Sequence, residues 1–245
     1  MLRFILLILV VGLGTSWVEV AHAMSPQERY ELGQKYMRRG YYQKAMEHFS
    51  VLRNSHRDSD FSTKAELAMA DVYFKQGEYD LARVAYEDFS RLHPRHSDLD
   101  YAVYRLGLSH YRKASRIAAR DQTWTQQAVH AWANFSRRFP DSEYAEEVEA
   151  AVRASRGRLA RKELGIAQFY AKRSAWPAVI ARIQPMLRKY PDSDDRVEAM
   201  TLLAEALWAT GENSEAREWI SRIQADQPEE TALRRLRRKA PELFD

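Results

Sequence analysis

No cysteine occurs among the 245 residues, which excludes disulfides, thiolate metal centres, iron–sulfur clusters, a cysteine nucleophile and a thioether-linked lipid on this sequence. Glycine and proline are scarce as well, at 9 and 8. A sandwich or barrel needs turn residues every ~8–12 positions, so an all-helical chain is expected. The net charge is only +4, from 38 Lys and Arg against 34 Asp and Glu, and it makes no case for a nucleic-acid partner. Chemistry-bearing motifs are missing too: there is no GxSxG, no HExxH, no P-loop and no dinucleotide-binding glycine pattern. His93 and His96 lie around Pro94, but no further ligand stands at motif spacing. Neither a metal, a cofactor nor an enzymatic activity is expected.

Long apolar runs are confined to the start. Arg3 precedes the unbroken run Phe4 to Val11, and Ala21-His22-Ala23 supplies the small residues of a cleavage site. Residues 1–23 therefore read as a secretory signal peptide. Gly12, Gly14, Thr15, Ser16 and Glu19 interrupt the run well short of the ~20 apolar residues of a membrane span. Ser25-Pro26-Gln27-Glu28 has the form of a capping box with proline in the first helical turn, so folding is expected to begin there.

The remainder of the chain is repetitive. Ala45 has Phe49 four residues after it and Gly40, Tyr36 and Gly33 before it, and Ala82 has Tyr86, Gly77, Tyr73 and Ala70 at the same offsets. Ala216 repeats the set with Ile220, Gly211, Leu207 and Ala204, and Val179 repeats it more weakly with Ile183, Ser174, Tyr170 and Ala167. Ala128 marks a unit whose first helix, with Gly107 and His110, lies further upstream. Pro94, Pro140, Pro191 and Pro228 close four units. Physically this is a series of antiparallel helix pairs. Small residues admit a close second helix, an aromatic fills the gap, glycine makes the left-handed bend and proline ends the unit. The expected fold is all-α, a tetratricopeptide-repeat superhelix of about five helical hairpins over 24–228, with a basic tail over 229–245. Ser97, Ser142 and Ser193 are expected to cap the helices after three of the prolines. Two insertions stand out: KASRIAARDQTW should form an excursion within the third unit, and a single helix should run from about Ser142 to Lys172.

First helices line the inner surface of such a stack. Projecting the register places Tyr30, Gln34, Met37, Arg38, Lys64, Asp71, Phe74, Lys75, Tyr104, Leu108, Tyr111 and Arg112 inward. That set is aromatic and basic, and it suits an extended peptide bearing aromatic side chains and a carboxylate. Arg234, Arg235, Arg237, Arg238 and Lys239 make the tail a capping helix or a surface for anionic lipid or an acidic partner.

Three strings carry a more specific resemblance: LHPRHSDLDYAVYRLGLSHY, RDQTWTQQAVHAWANFSRRFPDSEYAEE and IAQFYAKRSAWPAVIARIQPMLRKYPDS. With the long helix, they make the chain resemble the outer-membrane protein assembly factor BamD family. The resemblance implies a non-enzymatic periplasmic scaffold at the inner face of the outer membrane; with no cysteine to lipidate, its attachment there is expected to rest on protein contacts. Its first repeats would bind unfolded β-barrel proteins, and its later ones the POTRA-bearing barrel subunit. It also implies that Arg182, six residues after Trp176 of the SAW turn, contacts that subunit. Family members are usually lipoproteins, whereas this sequence has no cysteine to lipidate. A soluble periplasmic repeat scaffold for cell division or peptidoglycan synthesis is the alternative.

Overall fold

The computed structural model describes residues 24–226 and 233–244; the expected signal segment, 1–23, and Pro228 lie outside the described residues. Among the described residues, five helical hairpins succeed one another. They are α1 (Pro26–Arg38) with α2 (Tyr42–Ser55), α3 (Asp60–Gln76) with α4 (Tyr79–Leu92), α5 (Leu99–Lys113) with α6 (Thr123–Ala131) and the short α7 (Phe135–Arg138), α8 (Ala145–Ala171) with α9 (Trp176–Lys189), and α10 (Arg196–Ala209) with α11 (Asn213–Asp226). A sixth piece, α12 (Arg234–Lys239) and a 3-10 turn at Pro241–Leu243, closes the array.

The residues expected to set the hairpin geometry do so. A Cβ on Gly33 would stand 2.6 Å from the Phe49 ring, and one on Gly107 would stand 2.2 Å from the Trp132 indole. Gly40, Gly77 and Gly211 turn between helices at φ +78°, +81° and +86°. In the fourth hairpin Ser174 makes the same turn at φ 55°. The Ser25–Glu28 capping box opens α1 as expected.

Three details depart from expectation. Ser142 and Ser193 do not cap helices: their Oγ atoms accept from the backbone N–H two residues on, at Tyr144 and Asp195, holding the turn that precedes each helix. Ser97 instead donates to the Asp98 carboxylate. Proline ends the helix early enough for a turn to intervene, so the serine stabilises that turn rather than the first N–H groups. The second helix of hairpin three is broken by Asn134 at φ 61°, a conformation asparagine tolerates better than most residues. The excursion occupies the connection between α5 and α6, and α8 has 27 residues, about 40 Å of continuous helix.

Among the described residues the core is a string of four clusters. One joins α1, α2 and α3 through Phe49, Leu52 and Val72; the next joins α3, α4 and α5 through Tyr86 and Phe89. A third centres on Leu99, Tyr104 and Trp132, and the largest runs from α8 to the end of the chain. Leu233, Leu236, Ala240 and Leu243 belong to that last cluster, so the basic tail packs onto hairpin five. Lys239 pairs with Glu205, and the Trp208 indole donates to Glu242 at 2.6 Å.

Candidate partner-binding surfaces

The register placed twelve side chains on one inner surface, and the structure divides them into four groups. Tyr30, Lys64 and Asp71 come together in an open cleft of about 580 Å³. Met37, Tyr104 and Leu108 are buried at 7%, 8% and 7% exposure, so these three are core and offer nothing to a peptide. Tyr104 lies at the seam with the fourth hairpin, stacked on Tyr144 at 4.6 Å with its hydroxyl donating to Glu147. That burial pushes its phenol up to about 12. Arg38, Lys75 and Arg112 are exposed in the last turns of α1, α3 and α5, where a cation complements the helix dipole. Gln34 donates to the Tyr30 hydroxyl at 2.9 Å, Phe74 lies beneath the Arg105 guanidinium at 3.7 Å, and Tyr111 sits beside Trp132.

Residues missed by the register build most of the cleft. Asp98, Asp100 and Tyr101 come from the start of the third hairpin, and Glu143 and Tyr144 from the approach to α8. At its base Asp71 Oδ1 accepts from the Tyr86 hydroxyl at 2.5 Å and the Tyr101 hydroxyl at 2.8 Å. Arg105 Nε donates to the Tyr86 hydroxyl at 3.2 Å and stands 3.8 Å from Asp71. Desolvation raises the Asp71 carboxyl above its ordinary range, opposed by the two tyrosine hydrogen bonds and by Arg105. The same burial raises the phenols of Tyr86 and Tyr101. Tyr101 and Arg105 stand four apart on one helix face, which was the available signal.

The charge of the cleft differs from expectation. Four carboxylates, those of Asp71, Asp98, Asp100 and Glu143, line it against the single cation Lys64. Asp71 is balanced by Arg105, and Asp100 accepts from Ser142 at 2.6 Å, but Asp98 and Glu143 remain exposed at the mouth. Of the basic residues in the projected set only Lys64 lines the cleft, while Arg38, Lys75 and Arg112 lie in the last turns of their helices outside its lining, so the cleft does not complement a carboxylate.

Arg182 and Trp176 both lie on α9 but differ in setting. Arg182 is exposed and its guanidinium donates to Glu163 of α8 at 3.2 Å, beside a shallow depression of about 260 Å³ that includes Met186 and Tyr190. Trp176 opens α9 and packs against the C-terminal core cluster. The pair at the other end, His93 and His96, does not assemble a metal site. His93 Nε2 is hydrogen-bonded to Glu66 at 2.7 Å, and among the described residues no group of three or more His, Asp or Glu could hold a metal ion.

Residues 22–222 match the family described as YfiO, outer membrane lipoprotein. The chain belongs to that family. Its relatives include the outer membrane protein assembly factor BamD of Pasteurella multocida, 32% identical over 74% of this chain and 73% of that one. BamD of Haemophilus influenzae is 30% identical over 81% and 79% of the two chains, and that of Vibrio cholerae 28% over 79% and 84%. Among solved structures, the TPR2AB domain of yeast Sti1 covers 83% of this chain and 78% of its own at TM-score 0.45 and 13% identity. BamD-family membership and the stacked hairpins agree on a non-enzymatic repeat protein.

Proposed function

We propose that this protein is an outer-membrane assembly factor working at the periplasmic face of that membrane, with two protein-binding surfaces. The tyrosine-and-carboxylate cleft of the N-terminal hairpins receives segments of unfolded β-barrel proteins. Arg182 and its surroundings on hairpin four meet the POTRA-bearing barrel subunit. One observation carries the reading: side chains from three consecutive hairpins and the approach to the fourth converge on an open cleft whose acids and hydroxyls are held in place by neighbours. Preorganised acceptors and aromatic rims suit a passing polypeptide with cationic and aromatic side chains.

Arg182 supports the second surface because a guanidinium half-committed to Glu163 keeps donors for another acid. The experiment is co-purification from membranes. Arg182→Glu should lose the POTRA-bearing subunit, whereas Glu163→Gln, which frees the guanidinium, should retain it. Equal recovery with Arg182→Glu sinks the interface. Replacing Asp98 and Glu143 by lysine should weaken capture of a denatured barrel protein and leave the subunit bound; unchanged capture sinks the cleft assignment. The absence of cysteine favours a second reading, a soluble periplasmic scaffold for cell division or peptidoglycan synthesis. Normal barrel-protein levels after depletion of this protein would decide for it.

A further inference from the structure

The basic helix that closes the array belongs to neither proposed surface. α12 carries Arg234, Arg235, Arg237, Arg238 and Lys239 within six residues, all of them exposed. Its apolar side is committed to the core, where Leu233, Leu236, Ala240 and Leu243 join the last cluster. Packing therefore fixes which side of the helix faces outward, and that side is cationic.

Two of the five cations are engaged. Lys239 pairs with Glu205, and the Arg237 guanidinium lies against the Phe244 ring at 4.8 Å. Arg234, Arg235 and Arg238 have no ion pair, hydrogen bond or ring contact among the described residues. Arg238 follows Arg234 by four residues and Arg235 by three, so the three share a face, and like charges at that spacing destabilise a helix. Arg234 and Arg235 also open α12, the end at which the helix dipole disfavours a cation. Within 233–244 the one acid, Glu242, accepts from the Trp208 indole; Glu229 and Glu230 lie outside the described residues. An external anion would relieve this unbalanced group.

The form of the patch specifies which anion. A protein partner takes an apolar or aromatic anchor at the centre of its interface, and the leucines of α12 are all in the core. A bilayer surface needs no such anchor. It presents a dense field of phosphates, each able to accept two parallel N–H donors from a guanidinium, and its attraction grows with every added cation. The proposed location sets the chain beside a phospholipid leaflet, and this sequence has no cysteine to carry a thioether lipid.

We infer that Arg234, Arg235 and Arg238 dock the C-terminal end of the array on anionic phospholipid headgroups. The contact is electrostatic and superficial, because no leucine of α12 is free to enter the bilayer. The inference rests on the proposed periplasmic location and on neither of the two protein-binding surfaces.

The test is flotation of the purified protein with phosphatidylcholine vesicles, with and without phosphatidylglycerol. Phosphatidylglycerol should strengthen binding roughly tenfold or more at low salt, and high salt should reverse the gain. Replacing Arg234, Arg235 and Arg238 together by glutamine should remove it. The same replacement at Arg38, Lys75 and Arg112, which lowers the net charge equally, should retain it, with the thermal midpoints of both variants unchanged. Equal loss in the two variants, or flotation that survives high salt, overturns the inference. So does an absence of flotation with binding of polyglutamate through the same three arginines, which would assign the patch to an acidic protein. Protein that recovers the POTRA-bearing subunit but does not float with anionic vesicles sinks this inference alone; protein that floats but recovers no subunit sinks the assembly reading and leaves this one standing.

Discussion

Gly107 and Gly165 both lie inside continuous helices, yet the same substitution should act on them in opposite directions. Alanine at an unobstructed helix position stabilises by up to about 1 kcal/mol over glycine, and Gly165→Ala should obey that rule. Gly107→Ala should instead destabilise by about 2 kcal/mol, because the added carbon meets an indole whose N–H already donates to the Tyr104 carbonyl at 3.1 Å. Denaturant midpoints check both, and a stabilised Gly107→Ala would refute the close approach. His110 supplies the pH prediction. It is buried at 8% exposure, and burial, with Arg83 and Lys113 nearby, lowers its pKa to about 4, against the smaller opposing effect of Asp80. Between pH 6.5 and about 4 the unfolded chain binds the proton and the folded one does not, so stability falls as pH is lowered through that window. The loss should be about 1–2 kcal/mol after allowance for solvent screening. Melting curves of His110→Gln over the window should be flatter by that amount. The close glycines were legible from their offsets to Phe49 and Trp132, whereas the burial of Met37 and Tyr104 was not. A register assigns a face of a helix, and only the neighbouring hairpin decides whether that face is covered.

At the scale of elements, the joints between hairpins matter more than the hairpins themselves. Asp71 of α3, Tyr86 of α4, and Tyr101 and Arg105 of α5 tie hairpin two to hairpin three with a buried charge on each side. Arg105→Ala removes the cation and leaves Asp71 with only its two tyrosine donors, so it should cost about 3 kcal/mol. Thermal unfolding measures the loss, and a change below about 1 kcal/mol would show that the joint is peripheral. The C-terminal piece has the same standing. Leu236→Asp places a charge in the last core cluster and should destabilise by about 3 kcal/mol, with increased proteolysis of hairpin five as the readout. The five leading hairpin pairs were readable from offsets in the chain. The break at Asn134 and the serine-held turns were not, because local hydrogen-bond competition leaves little trace in hydrophobic spacing.

Across the whole molecule, the four clusters each join neighbouring elements, so stability is passed along the array rather than pooled in one centre. A defect at Gly107 should therefore open hairpin three and its neighbours first. Hydrogen exchange of Gly107→Ala should show lost protection in α5 and α6 with slow amides retained in α10. Uniform loss across all five hairpins would mean a single cooperative unit instead. The same arrangement suits an adaptor, because an array of this kind can present separate surfaces at different hairpins without remodelling a shared core.

Hairpin number, the glycine bends, the excursion in the third unit and the long fourth-unit helix were determined by the sequence alone, because each depends on steric size and backbone freedom at fixed offsets. The chemistry of the surfaces was decided by the tertiary structure. Carboxylates from successive hairpins converge where a basic groove was expected, and the opening beside Gly165 exists because none of the described elements packs against it. Spacing along one helix reports which side chains share a face; net charge and vacant volume arise only where several helices meet.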